Sequence, residues 1–191
     1  NKWKNELNRI KKKINTPGGN ILEIGCGSGA ILKNFQKEMK IFGVDYSKSM
    51  IDIASKAIPR GKFICCEANQ IFFKENKFDV VIIFSSIQYF PNIEYFKNTL
   101  NKIDRILKKN SFLYIGEIID KDKQIEFNDY RKKQLSKKEY KEKYLGKQNS
   151  NLKHFSLNRT QVINFLDHEF KNIEIFNSVL RGKEKEVFRF D

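Results

Sequence analysis

The sequence predicts an α/β fold, a doubly wound and mostly parallel sheet of seven strands that ends in an antiparallel hairpin. Through residues 1–118, short apolar runs alternate with amphipathic stretches of helical periodicity, which is typical of βαβ units. Residues 78–84 (FDVVIIF) are almost all apolar, as in a central strand that is buried on both faces. Residues 173–179 and 187–190 flank a turn around Gly182, and this pattern predicts the hairpin at the sheet edge.

The individual elements follow from apolar spacing and from residues that start or stop them. Apolar residues recur every three or four positions from Trp3 to Ile14, which predicts a first helix that ends at Pro17. Ser47 is a suitable N-cap for the third helix and Pro59 terminates it. The five strands of this part are predicted at 20–24, 41–44, 63–66, 78–84 and 112–118, with helices at 31–39, 48–58 and 93–107 between them.

The C-terminal part of the chain has a different composition. Residues 120–153 are polar and lysine-rich, contain Tyr130 and Tyr140, and combine strong helix formers with a poor apolar stripe. We therefore expect a loosely packed helical insertion that covers the substrate as a lid, within one domain that spans all 191 residues. Asn158, followed three residues later by Gln161, predicts a capping box that opens a last helix to about His168.

Composition restricts the class of protein. A chain of 191 residues with 40% apolar residues can bury the core of one domain. It has no apolar run of the roughly 18 residues that a membrane span needs. Residues 1–13 lack the apolar stretch of a signal peptide, so we expect a cytoplasmic protein. Cys26, Cys65 and Cys66 do not have the spacing of a zinc site, so no metal is expected.

The net charge of +14 raises the question of a nucleic-acid partner, because clustered Lys and Arg neutralise phosphates. The excess consists mostly of Lys and is spread along the whole chain instead of forming one dense tract. We therefore favour a small-molecule substrate, and a nucleic-acid substrate stays open as the less favoured alternative.

A run of glycines marks the candidate ligand site. Gly25, Gly27 and Gly29 follow the first strand, where a backbone passes close to a ligand. With Ala30 the run also fits the G-x-G-x-x-A pattern of dinucleotide-binding proteins. Asp45 follows at the end of the second strand, where a carboxylate can accept both hydroxyls of a ribose. These residues predict a nucleotide-like ligand and leave two cofactors open.

Four segments follow the strands in order: ILEIGCGSGAIL at 21–32, GVDYSKSMIDIA at 43–54, FICCEANQIFF at 63–73 and FDVVIIFSSIQYF at 78–90. Together and in this order, they resemble the cofactor motifs of class I S-adenosylmethionine-dependent methyltransferases. The likeness covers about residues 20–118 and is strongest for the members that act on small molecules. It implies a Rossmann-like fold, S-adenosylmethionine as the cofactor and methyl transfer as the reaction.

The resemblance also implies roles for individual residues. It implies that Glu23 faces the cationic methionyl end and that Gly25, Gly27 and Gly29 lie under the cofactor. Asp45 is expected on the ribose, Tyr46 and Met50 beside the adenine ring, and Glu67 and Ala68 at the adenine amine. Phe84, Ser85 and Tyr89 are expected at the methionyl end.

The acceptor is less well defined by the sequence. Residues 84–87 (FSSI) contain neither the proline tetrapeptide nor the Pro-Cys pair of methyltransferases that modify DNA bases, so that chemistry is disfavoured. The resemblance places Gln88 and Tyr89 at the mouth of the site, and the lid adds Tyr130 and Tyr140 as substrate contacts.

A hydroxyl acceptor needs a base, and histidine is the usual choice near neutral pH. His154 is the first candidate and Glu117, at the end of the fifth strand, is the second. Residues 154–166 (HFSLNRTQVINFL) also resemble methyltransferases that act on sugars of bacterial surface polysaccharides. Our hypothesis is methyl transfer to a hydroxyl of a sugar or phosphorylated metabolite. An RNA methyltransferase and a non-catalytic cofactor-binding module stay open.

Overall fold

The structure is a computed structural model that describes residues 2–14, 17–134, 154–167, 170–175 and 189–190. Strands and helices alternate through the first part of the chain, as the sequence predicts. The strands are β1 (Asn20–Ile24), β2 (Lys40–Asp45), β3 (Lys62–Cys65), β4 (Phe78–Phe84), β5 (Leu107–Gly116), β6 (Ile118–Ile119) and β7 (Arg189–Phe190). The helices are α1 (Lys2–Lys13), α2 (Lys48–Ala57), α3 (Ile93–Ile106), α4 (Gln124–Gln134) and α5 (Arg159–Leu166).

The first five strands form one parallel sheet in the order β3-β2-β1-β4-β5. The chain moves outward from β1 to β3 and then crosses back to place β4 on the other side of β1. The strand order therefore reverses between β1 and β4, and a crevice opens there at the carboxyl ends of the strands. This arrangement confirms the predicted doubly wound, Rossmann-like class, and such a crevice is the general position of ligand sites in open α/β sheets.

Apolar side chains cover both faces of the sheet. Successive residues of a strand point to opposite faces, so Val81 and Ile83 of β4 join one buried cluster while Val80 and Ile82 join the other. Helix α3 packs on the first face, and α1 with residues 31–39 packs on the second. Burial on both faces explains why β4 is apolar along almost its whole length.

The helix predicted at residues 31–39 is wrong. A 3-10 turn at Leu32–Asn34 is followed by further turns, and the backbone N–H groups of Asn34, Phe35 and Glu38 donate to the third residue back instead of the fourth. The side chain of Asn34 donates to the carbonyls of Ala30 and Ile31 at 2.8 and 3.2 Å. This side chain competes for carbonyls that a continuous helix would use, which favours the tighter turn. The apolar spacing was still informative, because this segment packs its apolar side chains on the sheet.

The seven-stranded sheet and the C-terminal hairpin are not confirmed. Of the predicted strand at 173–179, residues 173–175 have no regular secondary structure and the others lie outside the described residues. Within the described ranges, β7 instead pairs antiparallel with β6 in a separate two-stranded sheet. The strand predicted at 112–118 is interrupted at Glu117, whose φ of +63° turns the chain between β5 and β6.

Two of the described segments after β6 are helical, α4 and α5. Asp120 caps a 3-10 turn that leads into α4, whereas residues 135–153 of the predicted lid, including Tyr140, lie outside the described residues. The predicted capping box is confirmed, since the side chains of Asn158 and Gln161 each accept from the other residue's backbone N–H. None of the helices in the described ranges has the length and apolar character of a membrane span.

Candidate cofactor and acceptor site

The glycine loop begins directly after β1 and is tied to the end of β2. The N–H groups of Gly25 and Cys26 both donate to the carbonyl of Val44, at 2.8 and 3.0 Å. Gly25 has a φ of +73°, and a side chain at this position would overlap Ser86, whose Cβ would lie 2.6 Å from the added Cβ. Glycine is therefore required here by backbone conformation and by the close approach of the loop that follows β4.

Asp45 connects the glycine loop to the loop that follows β2. Its Oδ2 accepts from the N–H of Gly27 at 2.8 Å, and its Oδ1 accepts from the N–H of Ser47 at 2.9 Å. The side chain is largely buried at 8% exposure. A carboxylate has about four lone-pair positions, so two such bonds leave acceptor capacity for the hydroxyls of a ligand.

Glu23 is a buried carboxylate on β1, at 2% exposure. Its Oε2 has no hydrogen-bond partner among the residues that the structure describes. Burial and the nearby charge of Asp45 raise the pKa of Glu23 well above its usual range, and the N–H of Leu32 offsets part of this increase. A cation brought to this carboxylate would favour its charged form and would satisfy the buried oxygen.

Two large apolar side chains are exposed shortly after Asp45 in the sequence. Tyr46 is 70% exposed and Met50 is 40% exposed, although both are large side chains. An aromatic ring and a thioether at such a place suit the flat face of a purine.

Tyr95 of α3 connects to the segment after β3. Its hydroxyl donates to Oε2 of Glu67 at 2.6 Å and accepts from the N–H of Ala68 at 3.0 Å. Burial, followed by the bond to Glu67, raises the pKa of Tyr95 to about 12. The hydroxyl thus stays protonated near neutral pH and holds both residues that the resemblance assigns to the adenine amine.

The loop after β4 lies across the crevice from the glycine loop. Ser85 has a φ of +54°, and the side chain of Gln88 donates to the carbonyl of Ser85 at 2.6 Å. Ser86 donates to the carbonyl of Gly25 at 3.2 Å, which links the two loops directly. The ring of Phe84, in contrast, is buried and stacks on Tyr114 with 6.4 Å between ring centroids. Phe84 can therefore reach the crevice with its backbone only.

The predicted substrate residues lie in two places. Tyr89 is 60% exposed, and its ring meets that of His154 edge-on with 5.7 Å between centroids. The N–H of Phe155 donates to the carbonyl of Gln88 at 3.0 Å, which holds His154 beside the loop after β4. Tyr130 is half-buried on α4, in the described part of the predicted lid.

Glu117, the second predicted base, is buried at 1% exposure between β5 and β6. It therefore lies at the carboxyl end of the strand next to β4, on the same edge of the sheet as the glycine loop. No group of three or more His, Cys, Asp or Glu side chains within the described ranges could hold a metal ion.

Comparison with known protein families shows which family this fold and site belong to. Residues 22–115 match a family model that is described as a methyltransferase domain. The chain carries a class I S-adenosylmethionine-dependent methyltransferase domain. The matched residues begin in β1 and end in β5, so they include the glycine loop and all five strands of the parallel sheet.

Relatives of the methyltransferase domain are found in archaea and bacteria. An uncharacterised protein of Methanocaldococcus jannaschii is 37% identical over 121 residues, which are 63% of this chain and 53% of the relative. A demethylmenaquinone methyltransferase of Thermotoga maritima is 26% identical over 62% of this chain and 51% of its own length. The chain thus spans about half the length of these curated relatives.

A solved structure shares the fold of the methyltransferase domain. It is phosphoethanolamine N-methyltransferase 2 of Haemonchus contortus, solved with phosphomonomethylethanolamine and S-adenosylhomocysteine. The TM-score is 0.69 at 22% identity, and the match covers 91% of this chain and 38% of that chain. At this identity the likeness is one of fold.

The residues of the methyltransferase domain fit S-adenosylmethionine. The buried and unsatisfied Oε2 of Glu23 suits the cationic methionyl end, since a carboxylate there needs a positive partner. Asp45 retains acceptor capacity for the ribose hydroxyls. Tyr46 and Met50 offer exposed apolar surface for the adenine ring.

Sequence reasoning missed two residues of the methyltransferase domain, Ser86 and Tyr95. Ser86 could have been found, because it follows the predicted residue Ser85 and a small hydroxyl side chain is suited to a tight loop. Tyr95 left no signal, because its contact with Glu67 joins residues that are 28 positions apart and depends on how α3 packs.

Proposed function

We propose that the protein transfers the methyl group of S-adenosylmethionine to a small-molecule acceptor. The acceptor group that we put first is a hydroxyl of a sugar or phosphorylated metabolite, such as a precursor of a surface polysaccharide. The observation that carries this proposal is the position of His154, whose ring contacts Tyr89 beside the loop after β4. A base at the mouth of the crevice is what a hydroxyl acceptor requires.

Two further observations support a small-molecule acceptor. The demethylmenaquinone methyltransferase and the phosphoethanolamine N-methyltransferase are both named for small-molecule acceptors. The exposed ring of Tyr89 provides an aromatic contact for such a compound next to the proposed base.

In the proposed mechanism the chain binds, orients and removes a proton. Glu23, the glycine loop and Asp45 hold the cofactor, and Tyr95 keeps Glu67 in place for the adenine amine. Bound there, the cofactor would supply the methyl group, and His154 would take the proton of the acceptor hydroxyl. Glu117 is the second candidate for that proton.

Cofactor binding is tested by calorimetry with S-adenosylhomocysteine. Asp45→Ala should weaken binding by about tenfold to a hundredfold, because charged hydrogen bonds contribute roughly 1.5–3 kcal/mol. Asp52→Ala is the matched control, because Asp52 is an exposed carboxylate on the next helix that pairs with Lys48. Unchanged affinity of the Asp45 variant would contradict our assignment of the ribose acid.

The acceptor is tested with S-adenosylmethionine that carries a labelled methyl group. Sugar nucleotides, phosphorylated metabolites, small amines and a transfer RNA are offered separately. We expect label on a hydroxyl compound, and His154→Asn should lower kcat by about 10²–10⁴-fold with unchanged affinity for S-adenosylhomocysteine. Label on amines alone would reject the hydroxyl acceptor, and label on RNA alone would reject the small molecule. Binding without any turnover would indicate a non-catalytic module.

A further inference from the structure

A second cavity lies at the edge of the sheet opposite the glycine loop. It has a volume of about 710 Å³ and lies where β2 and β3 begin, at Lys40 and Lys62. The cofactor crevice opens at the other ends of the same parallel strands, where β2 closes with Asp45. This cavity therefore plays no part in the methyl-transfer site described above.

The floor of the cavity is apolar. It includes Met39, Ile41 and Ile58, which pack in the cluster on the α1 face of the sheet, and Phe42, which packs in the cluster on the other face; each is less than 10% exposed. Pockets of roughly 300–1,000 Å³ with a preformed apolar lining are the usual sites for small organic ligands. The floor can therefore cover an apolar body without a large rearrangement of the protein.

The rim of the cavity is strongly basic and its charge is not balanced. Lys37, Lys40, Arg60 and Lys62 surround the opening, all with exposed side chains. No carboxylate oxygen of the described residues lies within 4.0 Å of any of these four cations.

Acidic residues near this edge are already engaged. Glu38 pairs with Lys11 at 3.4 Å, and Asp79 pairs with Lys108 at 2.8 Å. The cations of the rim therefore face the cavity without a counter-charge from these groups. Such a concentration of one sign of charge around a concave, low-dielectric surface attracts anions.

The ammonium groups of Lys62 and Lys77 both lie near the ring of Phe42, beside the cavity. Nζ of Lys77 lies 4.4 Å from the ring centroid of Phe42, and Nζ of Lys62 lies 6.0 Å from the same centroid. Burial and the positive charge of Lys62 lower the pKa of Lys77. An anion at the rim would reduce this repulsion, so the site gains from being filled.

We propose that this cavity binds a small phosphorylated compound with an apolar or aromatic body. The floor buries the body, and the four cations of the rim hold the phosphate. An extended strand of RNA is disfavoured, because its binding sites follow several nucleotides along a groove, whereas this cavity has the volume of a site for one small ligand.

The proposal is tested with 1-naphthyl phosphate, which has both features of the ligand, and with 1-naphthol and inorganic phosphate, which have one each. In low salt, the full chain should bind 1-naphthyl phosphate about tenfold more tightly than either of the other two compounds. The double variant Lys40→Glu and Lys62→Glu should lose about tenfold or more of this affinity. The control is Lys109→Glu with Lys171→Glu, an equal change of charge at exposed lysines elsewhere, and it should lose much less.

Three results would overturn the proposal. Equal affinities for 1-naphthyl phosphate and inorganic phosphate would mean that the floor is not used. Equal losses in the two double variants would mean that overall charge, and not this cavity, attracts the anion. A third result would indicate a nucleic-acid surface. In that case an oligoadenylate would bind tightly and 1-naphthyl phosphate would not, and only the double variant Lys40→Glu and Lys62→Glu would lose the oligoadenylate. Affinity for S-adenosylhomocysteine should be unchanged in both double variants, which separates this test from that of the cofactor site.

Discussion

The hydroxyl of Tyr95 donates a hydrogen bond of 2.6 Å to Oε2 of Glu67. The same hydroxyl accepts from the N–H of Ala68, so one side chain of α3 holds the two neighbouring residues after β3. Because the pKa of Tyr95 is raised to about 12, the donor persists through the physiological range of pH. The bond restrains Glu67 through one carboxylate oxygen, and in our proposal the other oxygen accepts from the amine of an adenine ring.

Tyr95→Phe should weaken binding of S-adenosylhomocysteine by about fivefold to tenfold, because one hydrogen bond to a carboxylate is lost. Calorimetry with S-adenosylhomocysteine and with its inosine analogue, which lacks the amine, measures the effect. The loss should be smaller for the analogue, since Glu67 has no amine to accept from.

Tyr114→Phe is the matched control for this change. Its hydroxyl donates to Glu6 at 2.8 Å, on the face of the sheet that α1 covers. We expect reduced stability and unchanged ligand affinity. If Tyr95→Phe weakened both ligands equally, the tyrosine would act on the fold alone and not through Glu67.

Gly25→Ala should unfold the protein at a lower temperature than Gly27→Ala does. Both positions have positive φ, at +73° and +50°, which costs a non-glycine residue about 1–2 kcal/mol. At position 25 the new methyl group also overlaps Ser86, whereas nothing lies within 4 Å of it at position 27. We expect an additional loss of about 1–3 kcal/mol at position 25 from this overlap.

Denaturant unfolding of the two variants measures this difference. Adding Ser86→Gly to Gly25→Ala removes the side chain that is overlapped, so part of the lost stability should return. Equal stability of the Gly25 and Gly27 variants would show that the loop after β4 moves away at little cost.

Glu23→Gln should change the pH dependence of stability in the absence of cofactor. The folded pKa of Glu23 is raised above its usual value near 4.5. Above that pH the unfolded chain loses this proton while the folded protein retains it, so the folded state loses stability as pH rises toward the folded pKa. The variant has no such titration, and its advantage over the native protein should grow between acid and neutral pH in thermal melts.

Because the pKa of Glu23 is raised, we also expect proton release when the cofactor binds. A cationic ligand favours the charged form of Glu23, so binding of S-adenosylmethionine should release protons to the buffer. Calorimetry in buffers of different ionisation enthalpy detects this release, and Glu23→Gln should reduce it and should weaken binding about tenfold. Identical proton release by the two proteins would assign the titration to another group.

The cysteines should react with iodoacetamide in the order Cys65, Cys66, Cys26. Cys65 is exposed and Cys66 is partly buried with a raised pKa, so its reactive thiolate is less populated. Burial, with the charges of Glu23 and Asp45, raises the pKa of Cys26 far above its usual range. Peptide mass spectrometry over time gives the order, and early labelling of Cys26 would mean that the glycine loop opens readily.

Local patterns predicted where several residues of the candidate site lie in the fold. The apolar runs of the parallel strands, the glycines with positive φ and the placement of Asp45 after β2 are properties of neighbouring residues, and they could be identified in the sequence. The helix predicted at 31–39 failed for an equally local reason, because Asn34 competes for carbonyls that the helix would use. Apolar spacing reports which face is buried, and it does not distinguish a helix from a series of tight turns.

The sequence by itself determined the α/β class, the glycine loop and the placement of the acids that we assign to the cofactor site. Only the tertiary structure decided which residues support them. Tyr95 reaches Glu67 across 28 positions, and Ser86 reaches Gly25 across 61. The basic cavity likewise combines residues from the starts of β2 and β3. Contacts of this kind depend on how helices pack on the sheet, which many distant apolar residues determine together, so no short segment of the chain encodes them.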